Sequence, residues 1–220
     1  MGTSFNTISG SWIVTDAQVA AQKIRFNILN GNGQFMIDNV SLTKVDRCAG
    51  SRIVNGNAVG NNANGWSGWN NPIGAEAPGA DGTGYALKAY NRTTGWVQGL
   101  SQSLDTVCIN PGEIYSVDFK VKMYNEVTRA SIECNPSNDP TYTSCPVLRL
   151  RSQNTTGYTY MVVQDPKMVW NASSWNRFRV NVTIPTTMAG SGMTQFLVAV
   201  CGGPANSILL IDDLTFQKVA

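Results

Sequence analysis

Six basic side chains of this chain fall in pairs two residues apart: Lys120 and Lys122, Arg149 and Arg151, Arg177 and Arg179. In an extended strand that spacing puts both members of a pair on one face. If the three strands share a sheet, one groove gathers up to six cations. It would suit an anionic glycan bearing carboxylates or sulfates, with the arginines making bidentate contacts. The plainer alternative, a solvated face of ordinary surface charge, stays open. Catalysis has less to work with. The sequence contains no histidine, which removes the commonest general base and the triads built on it. A glycosidase needs two carboxylates roughly 5–10 Å apart across a cleft. Outside the closing strand the strand carboxylates are Glu113, Asp118 and Glu133, and Asp118 has lysines rather than an acid beside it. There is no G-x-S-x-G elbow and no phosphate loop. These residues read as a binder, not an enzyme.

The cysteines are Cys48, Cys108, Cys134, Cys145 and Cys201. Cys134 and Cys145 flank a loop rich in Pro, Asn, Asp and Ser, which suits a local disulfide without a core role. The odd count leaves one thiol free or paired outside the chain. Zinc would want thiols at short spacing, usually with histidine, and neither is present. Five N-x-S/T triplets, at Asn39, Asn91, Asn154, Asn171 and Asn181, permit glycosylation on a secretory route.

The elements that must position these groups are strands. Hydrophobic residues make up 42%, enough for a core, while charged residues are only 14% against a usual quarter. Asn, Thr, Ser and Gly replace them, the balance of an extracellular, cell-surface or cell-wall β protein. A net charge of +2 gives no broad field for nucleic acid or a membrane surface. No signal peptide or membrane span is read. The clearest strand begins at Ile114: Tyr115, Val117, Phe119, Val121 and Met123 share one face, while Ser116, Asp118, Lys120, Lys122 and Tyr124 share the other. Further runs are GYALKAY (84–90), GWVQGLSQSL (95–104), WNRFRVNVTI (175–184) and MTQFLVAVC (193–201). CPVLRLR (145–151) and GYTYMVV (157–163) are expected to form a hairpin. Short β runs between turn clusters, about nine or ten in all, predict an all-β jelly-roll sandwich.

One phrase occurs twice. FMIDNVSLTKV (35–45) and LLIDDLTFQKV (209–219) share Ile37/Ile211, Asp38/Asp212, Lys44/Lys218 and Val45/Val219. Self-similarity of this kind marks a repeat array. The first copy ends only about 46 residues into the chain, close to the lower limit for an independent core. Residues 1–46 are therefore expected to be the C-terminal strands of a preceding repeat, forming a hairpin, and residues 47–220 a complete domain. Neighbouring repeats would then be partners.

The order VNGNAVG…NGW, DGTGYALKAYNRTTGWVQG, INPGEIYSVDFKVK and IDDLTF resembles the calcium-containing carbohydrate-binding modules of the galactose-binding-like superfamily, of the type appended to xylanases and glucanases. The resemblance covers residues 52–219. It implies a structural Ca2+ that joins the first and last strands. Carried over residue by residue, its ligands fall on Asp212, on Asp81 with a carbonyl near Gly84, and on Asn57 to Val59. Val59 departs from the pattern, which commonly has glutamate there, and calcium prefers six to eight oxygens. The alternative for Asp212 is an acid paired at a sheet edge.

The resemblance also implies that a polysaccharide or other glycan lies in a groove across one sheet, with aromatic rings stacked on sugar faces. Candidates are Trp66, Trp69, Tyr90, Tyr124, Tyr158, Tyr160 and Trp170. Core packing competes for each, and Trp66 and Trp96 read as structural. Tyr90, Tyr124 and Trp170 are preferred, with the six paired cations. The function expected is a non-catalytic carbohydrate-binding module of a tandem-repeat protein. The alternative is a structural or adhesive repeat without a sugar ligand.

Overall fold

The computed structural model describes residues 48–189 and 192–219. The expected hairpin within residues 1–46, with its sequon Asn39, lies outside those residues. Ten strands follow in chain order: β1 (Ser67–Trp69), β2 (Ile73–Glu76), β3 (Ala86–Ala89), β4 (Gly99–Leu104), β5 (Ile114–Asn125), β6 (Pro146–Asn154), β7 (Gly157–Val163), β8 (Asn176–Thr183), β9 (Gln195–Gly202) and β10 (Ser207–Lys218). They form two five-stranded sheets ordered β1-β4-β9-β6-β7 and β2-β3-β10-β5-β8. Every pairing is antiparallel. This is the jelly-roll β-sandwich expected from the alternating runs.

The core lies between the two inner faces, and strand parity dictates it. Tyr115, Val117, Phe119, Val121 and Met123 are all fully buried, so the face read from β5 points inward. Phe178 of β8 stacks on Phe119 with ring centroids 4.5 Å apart. Leu148 and Leu150 of β6 meet Phe196, Val198 and Val200 of β9 in the same cluster. Each such side chain contributes about 1.5–3 kcal/mol on burial. In β10 the inward set runs Leu209, Ile211, then Leu214, Phe216. The skipped position is a β-bulge between Asp212 and Thr215, where Asp213 has φ 53°. One extra residue shifts the alternation, so both halves of the strand still feed the core.

Two disulfides are present, Cys134–Cys145 as expected and Cys48–Cys108. Cys201 is the free thiol and is buried. The Cys134–Cys145 bridge is not the core-free staple that its loop suggested: Cys134 packs against the main cluster and Cys145 is buried. The loop it closes is folded inward by Asp139, whose carboxylate accepts the Ser144 and Cys145 backbone N–H groups.

At the start of β5 the Tyr115 hydroxyl lies 2.6 Å from Cys108 O and 2.7 Å from Glu113 Oε2, its single proton shared between the two acceptors. Hydrogen bonding from Lys218, then from Tyr115, holds Glu113 down at about 2. A carboxyl lowered in the folded state stabilises it fully above the ordinary glutamate value of about 4.3. That contribution is lost as pH falls through about 2. In acid titrations followed by denaturant unfolding, the stability gap between the native chain and Glu113→Gln is therefore expected to close below pH 4.

Candidate functional site

Inward Leu148 and Leu150 force Arg149 and Arg151 to the outer face of the β1-β4-β9-β6-β7 sheet. Arg149 pairs with Ala199, Ala199 with Ser101, and Ser101 with Ser67; one step along, Trp69 pairs with Gly99. The two middle strands thus present Gly99, Ser101 and Ala199, a floor of small residues between larger walls. The Arg149 side chain lies across this floor. Its guanidinium carbon is 4.8 Å from the Trp69 ring centre, 5.1 Å from Trp96 and 4.4 Å from Tyr160. Arg151 sits 4.7 Å from Tyr158 and 5.5 Å from Trp69. All are within the roughly 6 Å at which a cation is attracted to a ring face, each contact contributing about 0.5–2 kcal/mol.

Each wall has a local cause. Trp69 ends β1, and the chain then turns through Asn70 at φ 60°. Gln98 Nε2 donates to Asn70 O (2.6 Å), and Asn71 Oδ1 accepts from Gly99 N–H (2.8 Å). Trp96 follows Gly95, where any Cβ would overlap the Gly203 carbonyl. The Gly95 carbonyl accepts from Gly202 N–H and from Nη2 of the fully buried Arg92. Tyr158 and Tyr160 alternate with inward-packed Met161 on β7, opposite Gln153 and Arg151. Their hairpin closes on Asn154 Oδ1, which accepts the Thr156 and Gly157 N–H groups.

The electrostatics of this face are one-sided. None of its five strands carries Asp or Glu. Arg149 is 8% exposed, and its Nε and Nη1 are buried without an acceptor among the described residues. Arg151 donates to Gln195 Oε1 (2.7 Å), while its Nε is also unmatched.

The six paired cations do not share a face. β6 lies in one sheet, whereas β5 and β8 are neighbours in the other. On that second sheet Asp118 takes bidentate contacts from Arg177 and a further one from Arg179, and Lys120 pairs with Asp213 at 2.7 Å. Strand spacing fixes the face within a sheet but not which sheet a strand joins, and the crossovers separate β6 from β5. Tyr124 is 6% exposed. It donates to Glu76 and lies 4.0 Å beneath Arg129, so its ring face is already covered. Lys122, Tyr124, Trp175 and Leu210 line a shallow hollow of about 290 Å³. Tyr90 packs at the edge of the same outer cluster, under Lys88. Trp170 packs on the core and donates to Ile132 O. Trp66 is buried and donates to Val54 O and Asn55 O, the structural role read for it. Trp96 differs from the expectation: it is open and faces Arg149.

The calcium set divides. Asp212 is 5% exposed, and burial raises its carboxyl above the usual range. A Cβ added to Gly79 would come within 2.8 Å of Asp212 Oδ2 and 2.6 Å of Thr83 O, so those oxygens converge. They accept from Ala80 and Gly79 N–H, and Gly79 also bonds Gly84 O. Asp81 instead bonds its own turn through Thr83, and Asn57 and Val59 are exposed. Among the described residues no three His, Cys, Asp or Glu side chains converge. Of the expected set, Asp212 and the Gly84 carbonyl lie around Gly79 together with Thr83 O, while Asp81, Asn57 and Val59 lie exposed.

No protein-family model matches the chain, and no curated protein matches it. Solved structures do. The second family 22 carbohydrate-binding module of Paenibacillus barcinonensis Xyn10C, a xylan-binding domain, is 12% identical with TM-score 0.53. The match covers 74% of this chain and 98% of that one. The C-terminal family 22 module of Clostridium thermocellum Xyn10B is 15% identical with TM-score 0.52, over 79% and 97%. At such identities the likeness establishes the fold, a jelly-roll β-sandwich, and leaves the function to the site.

Proposed function

We propose that this domain is a non-catalytic carbohydrate-binding module that holds a polysaccharide along the outer face of the β1-β4-β9-β6-β7 sheet. The observation that carries this is the row of open rings beside a small-residue floor: Trp96, Tyr158 and Tyr160 are 47%, 54% and 45% exposed. Rings with a polar edge are suited to stacking on pyranoses. The family 22 neighbours include modules described as xylan-binding. The five strands of this face carry no Asp or Glu, which favours binding without hydrolysis. Affinity electrophoresis tests it: the native chain is expected to be retarded by at least one soluble polysaccharide, and Trp69→Ala to be retarded much less. No retardation across a panel of neutral and acidic polysaccharides would instead favour the structural-repeat reading.

That second reading has its own support. The break in alternation explained by the β10 bulge recurs in the first copy of the phrase. There Phe35 and Ile37 are followed by Val40 and Leu42, with Asn39 at the Asp213 position. Asparagine tolerates positive φ better than most residues. A tandem-repeat protein accounts for the recurrence of the phrase. Two disulfides fit an extracellular location, and sequon residues Asn91, Asn154, Asn171 and Asn181 are all exposed. No helix among the described residues is long and apolar enough to cross a membrane.

Calcium belongs to the proposal through Asp212, with main-chain oxygens completing the set. Binding to the folded chain alone raises the melting temperature by linkage. Asp212→Ala is expected to remove that increment and Asp213→Ala to keep it, since Asp213 is exposed and paired with Lys120. A melting curve unmoved by EDTA in calcium-loaded protein would remove the ion from the account.

A further inference from the structure

We infer that the ligand of the aromatic face is an acidic glycan, and that a sugar carboxylate docks on the guanidinium of Arg149. The inference rests on the reading of this face as the glycan site and narrows it to a class of sugar. Arg149 is more than nine-tenths buried, yet its Nε and Nη1 have no acceptor among the described residues. Buried polar groups are nearly always hydrogen-bonded, and an unmatched charged one is costly. The rings of Trp69, Trp96 and Tyr160 attract the cation but accept few of its N–H groups. What is missing is an in-plane acceptor with negative charge.

The opposite sheet shows how this chain otherwise treats its cations. There Lys88 and Arg129 meet Glu76, Lys120 meets Asp213, and Arg177 and Arg179 meet Asp118. On the aromatic face the two arginines have no Asp or Glu in any of the five strands. Within the ten strands, the buried guanidinium nitrogens without an acceptor among the described residues are those of Arg149 and Arg151, on the face with the open rings. A planar guanidinium held between ring faces offers its edge to a carboxylate in the bidentate geometry that lysine cannot copy. A uronic acid residue supplies both halves of the match, a pyranose face for the rings and a carboxylate for the fork. Arg151, oriented by Gln195, supplies a second cation beside the first, as a run of acidic sugars requires.

Calorimetry on the full chain decides the matter, with tetramers of galacturonate, glucuronate and mannuronate, the methyl-esterified galacturonate tetramer, and xylohexaose. At least one acidic tetramer is expected to bind, with the neutral probes roughly tenfold or more weaker. Arg149→Gln should lose the acidic ligand by about thirtyfold, because its partner charge is left unpaired. Arg149→Lys should recover only part of this. If melting curves show that Arg149 variants do not fold, Arg151→Gln carries the comparison, with a smaller loss confined to acidic probes. Neutral probes that bind as tightly as acidic ones, with Trp69→Ala weakening both, would overturn acid recognition and leave the glycan site standing. Binding by no acidic tetramer overturns the inference. Binding by none of the five probes counts against the glycan site as well.

Discussion

Arg92→Ala is expected to destabilise the domain by about 3–5 kcal/mol, the largest effect of any single change outside the aromatic core. Arg92 is fully buried and donates to Gln98 O (3.2 Å), Ser207 Oγ (2.8 Å), Gly95 O (2.9 Å) and Gly202 O. Those acceptors belong to the segment leading into β4, the end of β9 and the start of β10, so one side chain ties both sheets together. Truncation strands several buried carbonyls at about 1–3 kcal/mol each and leaves a cavity. Burial lowers the guanidinium to about 10. The folded value lies below the unfolded one, so keeping the charge costs stability at neutral pH and is relieved only as pH rises through about 10. Urea unfolding at pH 7 measures the change, and a loss below 1 kcal/mol would contradict it. Because Gly95 precedes Trp96, the variant should also disturb glycan binding under conditions where it stays folded.

The second large effect is on affinity. Trp69 touches both arginines and ends the strand that walls the floor. A sugar covering roughly 60 Å² of its partly exposed ring at about 25 cal/mol per Å² gains about 1.5 kcal/mol, near tenfold in affinity. Trp69→Ala should lose that much for any ligand of the face at any ionic strength. Lys120→Ala and Arg177→Ala should change affinity by less than about twofold, because those charges belong to surface ion pairs on the other sheet. Calorimetry of the three variants separates the two sheets.

Much of the fold was legible because strand parity is a local property. β5 alternates from Ile114 to Met123, and its five inward residues all reach the core. The repeated Ile-Asp phrase was legible as well, although only the bulge explains why Leu214 and Phe216 return inward. Sheet membership was not legible, since pairing of β6 with β9 depends on contacts some fifty residues apart. The i, i+2 cation pairs therefore looked equivalent when they are not. β1 and β2 are three and four residues long, too short for a periodic signal. Trp96 was read as structural from its place beside Gln98 and Gly99. The chain leaves strand geometry before Gly99, and the Arg92 anchor at Gly95 turns the ring outward. Tyr124 has the opposite history: its parity is outward as read, but Glu76 and Arg129 close over it.

The central claim is that the β1-β4-β9-β6-β7 face takes the glycan, and tryptophan indole N–H resonances report on it most directly. Trp69 and Trp96 lie on that face, whereas Trp66 and Trp170 donate to backbone carbonyls elsewhere and Trp175 borders the outer cluster of the second sheet. On titration with an oligosaccharide from a polysaccharide that retards the chain, the Trp69 and Trp96 indole signals should shift together, saturating at one dissociation constant. Those of Trp66, Trp170 and Trp175 should stay in place. Shifts at Trp175 or Trp170 with Trp69 and Trp96 unmoved would put the ligand on the β5-β8 side and contradict the account.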